Sequence, residues 1–219
     1  LSGTQNKHLI LVLNGAPPVP GLLQFFCSRT SWIIAADGAY TALKAAGLEP
    51  TAIVGDLDSL PNSVFTPSGV ETVQYEDQDS TDFEKCLRYL SERGQTPQRI
   101  SILGGFGART DHWLSNLIVA SKIAPEIKVA FFTESEQCHR VTPSAALSLD
   151  VPQGTTVSLF PFPTAGGLCT QSLKWDLPAE DLTLQNHFSQ SNEVVITPCN
   201  IAISTGCLYV IVEYPVYAG

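Results

Sequence analysis

Four short apolar runs, each followed within two residues by glycine, most restrict what this chain can fold into. Residues 9–13 end at Asn14-Gly15, 32–36 at Asp37-Gly38, 52–54 at Gly55-Asp56, and 100–103 at Gly104-Gly105. None alternates polar with apolar residues, so each reads as a strand buried on both faces. Residues 70–75 and 127–132 read as two more strands. Helical patterns lie between them. Residues 40–46 stop at Gly47. Residues 81–93 open on Thr81-x-x-Glu84, the form of a capping box, and stop at Gly94. Phe83, Cys86, Leu87 and Leu90 give that helix one apolar stripe. Residues 111–122 read as another helix, with Trp113, Leu114, Leu117 and Ile118 as its buried face. Strands separated by helices predict an α/β domain with a mainly parallel sheet.

Past residue 136 the pattern changes. Short β-like runs at 157–160, 194–197, 201–204 and 208–212 are punctuated by proline and glycine, and no amphipathic helix is evident. These features predict a C-terminal all-β sandwich. The expected domains are therefore 1–135 and 136–219.

A net charge of −9 lacks the basic footprint of a nucleic-acid binder and suits a cationic partner or carboxylate-held metal. With 44% hydrophobic residues a full core can form, yet no apolar run is long enough to span a bilayer. The polar start carries no signal-peptide pattern, so the expected location is cytoplasmic, with no membrane partner. The chain contains no methionine, even at its first position, which reads as a processed or tagged chain or as one with residues outside the given sequence. The six cysteines show neither C-x-x-C pairs nor zinc-finger spacing, and read as buried thiols.

Ligands of open α/β sheets bind at the carboxyl ends of strands, where the glycines and aspartates of this chain fall. Asp56 and Asp58 follow a buried strand two residues apart, a spacing that lets both carboxylates meet one hard cation such as Mg²⁺. Read blandly, the pair is a solvated turn. Residues 77–82 (DQDSTD) place three acids at the start of the clearest helix. Dipole complementation and capping explain one or two of them, but not readily all three. Asp82 and Lys85 lie off the buried stripe, where they can face a cleft. Residues 104–112 (GGFGARTDH) form a glycine loop entering a helix, suited to cradling phosphate. The loop is neither a Walker loop nor a dinucleotide fingerprint. Arg109 adds a planar cation for phosphate oxygens, and Asp111 can bind metal or orient a hydroxyl. His112 alone is weak evidence.

In this order, the segments Ala36-Asp37-Gly38-Ala39, 55–59, 77–87 and 104–112, followed by 158–161, 173–177 and 191–193, resemble the thiamine pyrophosphokinase family over nearly the whole chain. Ala108 stands where that family usually carries glycine. The resemblance implies a homodimer that transfers pyrophosphate from ATP to thiamine with Mg²⁺, with active sites at the subunit interface. It also implies catalytic roles for Asp56, Asp58, Asp82 and Asp111, with Mg²⁺ held by Asp56, Asp58 and Asp82. Asp37, Gly38, Lys85, Gly104, Gly105, Arg109 and His112 would bind ATP. Gln78, Thr81 and Asp82 would line the thiamine region, joined by Ser191 and Asn192 from the partner subunit. Two rival readings share parts of the pattern. A haloacid-dehalogenase-like phosphatase also places D-x-D after a strand, and a sensing module would keep the fold without turnover. AMP release that requires thiamine separates the transferase from both.

Overall fold

Burial explains why the apolar runs become strands: residues 9–12 are fully excluded from solvent, as are Ala35, Ala36, Ala52, Ile53 and Val54. The computed structural model describes residues 8–57 and 69–216, so Asp58 lies outside the described residues. The chain forms two compact units, Leu1–Val119 and Ala120–Gly219. The division falls inside a helix that the sequence assigns wholly to the first domain.

The first unit runs β1 (His8–Val12), α1 (Pro20–Cys27), β2 (Ile33–Ala36), a 3-10 turn (Asp37–Ala39), α2 (Tyr40–Ala45) and β3 (Ala52–Gly55). It continues with β4 (Glu71–Gln74), α3 (Asp82–Glu92), β5 (Arg99–Leu103) and α4 (Thr110–Ser121), which reaches into the second unit. The strands order β4-β3-β2-β1-β5, and every pairing among them is parallel. The chain therefore winds outward from β1 in one direction, then crosses back to lay β5 on the other side of β1. The strand order reverses between the carboxyl ends of β1 and β5, where open α/β sheets form their ligand crevice.

At that crevice the backbones meet closely. Leu13 N–H donates to Leu103 O at 2.8 Å, Gly15 N–H to Gly104 O at 2.8 Å, and Ala16 N–H to Phe106 O at 3.0 Å. Gly104 holds φ +65°, and a Cβ there would lie 2.3 Å from Leu13 O. A side chain at Gly104 would force the two loops apart.

Helix α3 forms as its sequence predicts. Thr81 Oγ1 accepts from Glu84 N–H at 3.2 Å, and the Glu84 carboxylate accepts from Thr81 N–H at 2.9 Å. Its buried face holds Phe83, Lys85, Cys86, Tyr89 and Leu90, whereas Leu87 is only half-buried. Helix α4 corrects the expectation. Leu117 is buried, but Trp113, Leu114 and Ile118 are exposed. The helix instead turns His112, Ser115 and Asn116 toward a polar cavity, so its apolar residues do not mark its inner face. Helix α1, opened by Pro20 at its first turn, was not anticipated from its proline-rich approach.

The second unit contains β6 (Lys128–Phe132), β7 (Gln137–Val141), β8 (Leu147–Leu149), β9 (Thr156–Gln171), β10 (Pro178–Thr183), β11 (Ser189–Glu193), β12 (Cys199–Ala202) and β13 (Thr205–Val212). Their pairings with one another are antiparallel. The 16-residue β9 pairs with β13 and β11 along its first part and with β10 and β12 along its second. One strand thus serves both layers around a core that includes Val157, Leu159, Leu168, Leu182, Ile201 and Val210. Residues 194–197 are not a strand: Val194 makes one isolated bridge to Leu173, and the adjacent strand is the more polar β11. The buried Arg140 donates to the carbonyls of Ala120, Ile123, Ala124 and Ile127, satisfying the acceptors left at a helix end. All six cysteines are free thiols, and Cys169 alone is exposed. No helix among the described residues is long and apolar enough to cross a membrane.

Gly104→Ala should destabilise the fold by at least about 2 kcal/mol in chemical denaturation, from left-handed strain plus backbone overlap. Gly47 has φ +72° with open space around it. Gly47→Ala should therefore cost only about 1 kcal/mol, the strain without the overlap.

Candidate active site

A cavity of about 310 Å³ lies at the point where the strand order reverses. Leu13, Asn14 and Gly15 line it from the end of β1, and Asp56 from the end of β3. Gln78, Ser80, Thr81, Asp82, Phe83 and Lys85 come from the start of α3. Gly105 and Gly107 come from the glycine loop, and His112, Ser115 and Asn116 from α4.

The charged centre is a buried ammonium between two carboxylates. Lys85 is 2% exposed, and its Nζ lies 3.3 Å from Asp56 Oδ2 and 3.8 Å from Asp82 Oδ1. Burial raises the proton affinity of Asp82; Lys85 opposes that shift, Asp56 adds to it, and His112 opposes it. Two carboxylates held this close to one point offer hard oxygen donors to a cation.

The remaining predicted residues divide by place. Gln78, Thr81, Gly105 and His112 share the cavity with Asp56, Asp82 and Lys85. The Thr81 hydroxyl is engaged in the helix cap. Gly104 serves the close approach of the loops rather than the cavity wall. Arg109 and Asp111 are exposed and bind each other through two hydrogen bonds of 3.1 and 2.6 Å. The guanidinium holds the Asp111 carboxyl below the usual range. Neither residue lines the cavity. Asp37 is buried at the start of its 3-10 turn, and Gly38 lines a second, smaller cavity. Ala108 adopts φ +56°, a left-handed conformation that favours glycine.

In the second unit, Ser191 is exposed with φ +58°, and its N–H donates to Ser158 Oγ at 3.0 Å. Asn192 is buried and works as a clamp: its Oδ1 accepts from Trp175 N–H at 3.2 Å, and its Nδ2 donates to Trp175 O at 2.8 Å. Asp176 accepts from Ser172 N–H and Leu173 N–H. These bonds fix the turn that presents Trp175, which is 59% exposed.

Residues 23–131 match the thiamin pyrophosphokinase catalytic domain, and residues 139–209 match the vitamin B1 binding domain of the same enzymes. The chain belongs to the thiamin pyrophosphokinase family. Thiamine pyrophosphokinase of Bacillus subtilis is 25% identical over 213 residues, covering 92% of this chain and 97% of that one. Thiamine pyrophosphokinase 3 of Oryza sativa is 34% identical over 79 residues, which is 32% of this chain and 30% of that one. A crystal structure of thiamine pyrophosphokinase from Bacillus subtilis superposes with a TM-score of 0.80 at 22% identity, covering 96% of this chain and all of that one.

Sequence reasoning missed Ser115 and Asn116, which line the cavity from α4. Asn116 Nδ2 donates to Gly105 O at 2.7 Å and so holds the glycine loop. A signal for α4 was present: His112, Ser115 and Asn116 stand at i, i+3 and i+4, a polar stripe on one helix face.

The loop carrying Gln78 and Ser80 is fastened by Asp77. Its carboxylate accepts from Ser80 N–H at 3.0 Å, from Ser80 Oγ and from Arg88, whose guanidinium lies 4.1 Å from the centre of the Tyr75 ring. The Ser80 hydrogen bonds, then Arg88, lower the Asp77 carboxyl from 3.8 to about 2. A depressed folded-state value contributes stability above the unfolded value and loses it as pH falls through the folded one. The stability gap between wild type and Asp77→Asn should therefore be widest above about pH 4 and close toward about pH 2. Denaturant titrations across that window check it.

Proposed function

We propose that this chain transfers the pyrophosphoryl group of ATP to the hydroxyl of thiamine, giving thiamine diphosphate and AMP. The observation that carries the reading is the meeting of Asp56, Asp82 and Lys85 in a cavity beside the glycine loop, at the reversal of strand order. The thiamine oxygen forms a bond to the β-phosphorus while the bond from that phosphorus to the α-phosphate oxygen breaks. AMP leaves with that oxygen. The hydroxyl proton passes to a carboxylate of the site, with Asp82 and Asp111 as the candidates.

Mg²⁺ fits the donor set. Among the described residues no three His, Cys, Asp or Glu side chains gather as a complete metal cage. Mg²⁺ does not need one, because it commonly takes one or two carboxylates together with substrate phosphate oxygens and water. We assign Asp56 and Asp82 to it, with Asp58 as a third candidate. When bound, the ion supplies positive charge against phosphate oxygens. Lys85 supplies a second, fixed cation, and Gly105 and Gly107 let the backbone approach the phosphates. Arg109 is our assignment for the outer end of the triphosphate, which it reaches by exchanging Asp111 for phosphate. We assign Gln78 and Thr81, which border the same cavity, to thiamine. In the second unit, exposed Trp175 offers an aromatic face for a cationic ring, and we assign it, with Ser191 and the clamp residue Asn192 of the adjoining strand, to the thiamine site of the partner subunit.

We also propose a homodimer. The exposed Trp113, Leu114 and Ile118 on α4 form an apolar face of the kind that marks association. The free state of all six cysteines supports a cytoplasmic location.

The test is AMP formation with and without thiamine. Thiamine-dependent AMP release is expected, and ATP cleavage indifferent to thiamine would overturn the transferase reading. Asp56→Asn and Asp82→Asn should each lower kcat by about 100-fold or more. In the same assay Trp175→Ala should chiefly raise the KM for thiamine. Light scattering of Ile118→Asp should show monomer where the wild type gives dimer; a monomeric wild type removes the dimer assignment.

A further inference from the structure

We propose that Arg88, which does not line the cavity, is a positioning residue for the reaction: it holds Gln78 at the cavity wall by anchoring Asp77. The proposal rests on the reading above, which assigns Gln78 to thiamine. Little apolar burial holds the chain that leads to Gln78. β4 lies at the end of the strand order, and of its four residues only Val73 is shielded from solvent, and that in part. Polar side chains of α3 take over the task. At the start of β4, Glu71 accepts from the Tyr89 hydroxyl at 2.7 Å and from Arg93, whose guanidinium lies 3.8 Å from the centre of the Tyr89 ring. Just past the end of β4, the Tyr75 hydroxyl donates to Glu92 at 2.6 Å, and the Arg88 guanidinium covers the Tyr75 ring. The two clasps are of one kind: an arginine stacked on a tyrosine and bound to a carboxylate.

They differ in what they hold. The first grips the start of β4, and none of Glu71, Tyr89 and Arg93 lines the cavity. The second continues into the cavity wall through Asp77, whose carboxylate divides its oxygens. Oδ1 accepts from Ser80 N–H at 3.0 Å and from Ser80 Oγ, closing the turn that carries Gln78. Oδ2 accepts from Arg88, which ties that turn to α3 one helical turn beyond Lys85. Without Arg88 the turn keeps its Ser80 bonds, the cap of Thr81 and Glu84 stays, and Lys85 keeps Asp56 and Asp82. What is lost is the attachment of the turn to the helix. Ion pairs as open to water as Arg88 and Asp77 add little to stability, so the effect falls on where Gln78 stands rather than on whether the chain folds. A displaced contact residue weakens the hold on the ligand it meets.

Steady-state kinetics of thiamine-dependent AMP release test this, with Arg93→Ala as the control. Arg88→Ala should raise the KM for thiamine about tenfold and leave kcat and the KM for ATP within about twofold. Arg93→Ala opens the matching clasp at the far end of β4 and should leave the KM for thiamine unchanged. A merely structural role would move both variants alike. Because Arg88 acts through Asp77, Arg88→Ala added to Asp77→Ala should do no further harm. A second measurement needs no turnover: amide hydrogen exchange of residues 77–81 should speed up about tenfold in Arg88→Ala and hold the wild-type rate in Arg93→Ala. An unchanged exchange rate or an unchanged KM for thiamine in Arg88→Ala would overturn the proposal, as would an equal change in Arg93→Ala. ATP cleavage indifferent to thiamine in the wild type would count against the reaction, and the exchange rates would still decide the clasp.

Discussion

A lysine buried to 2% exposure is the constraint around which the first unit is organised. An ammonium removed from water is costly unless it is paired. Lys85 has Asp56 and Asp82 within 4 Å, and each comes from a different part of the chain. Asp56 follows β3, whereas Asp82 and Lys85 lie in the first turn of α3. The pairing therefore fixes the start of α3 against the end of β3. The capping box of Thr81 and Glu84 fixes where that helix begins, and so where the ammonium points. Removing the lysine would leave two carboxylates facing each other across a half-buried space. Removing one carboxylate would leave the ammonium short of a partner. The three charges thus act as one structural unit, as well as being the candidate chemical centre.

The glycines near the cavity follow from a second constraint. Winding outward from β1 and returning to its other side makes the loops after β1 and β5 neighbours. Their hydrogen bonds, from Leu13 to Leu103 and from Gly15 to Gly104, allow no side chain between them. Gly55 has a related reason: a Cβ there would lie 2.6 Å from Asp37 Cβ. Some of these glycines therefore shape the crevice by permitting close backbone packing, while Gly105 and Gly107 present backbone to the cavity itself.

Much of this was legible in the residues. The doubly buried strands announced themselves by lacking alternation, and α3 by its cap and stripe. Because ligand crevices sit at strand ends, Asp56 and the glycine loop were legible as neighbours, whereas Asp82 was read from the start of a helix and Gln78 from the family resemblance alone. On α4 the reading failed because apolar composition does not dictate the direction a side chain faces. There, Trp113, Leu114 and Ile118 look like a core face, yet the polar stripe of His112, Ser115 and Asn116 faces the cavity. Strands β10 and β11 are too polar to stand out, because they pair at the flank of β9 and bury few residues. The mutual pairing of Arg109 and Asp111 was also invisible: two residues apart, they look like separate contributors, but their geometry joins them at the exposed rim.

That rim pair bears on how charge is balanced in the proposed reaction. Asp56, Asp82 and Lys85 together carry one net negative charge when both acids are ionised. Such a centre attracts a cation readily and repels a bare triphosphate. Burial lessens the repulsion, because it raises the proton affinity of Asp82 and so makes the ionised form less favourable in the empty cavity. Asp56 and Asp82 would hold a cation that supplies positive charge beside the phosphates, and Lys85 adds a fixed one. Arg109 starts neutralised by Asp111 at the surface, where the pair costs little to exchange because both groups are hydrated. The cavity thus holds its fixed cation inside and its exchangeable cation outside. On this reading, that order favours a metal-bound triphosphate over a free one.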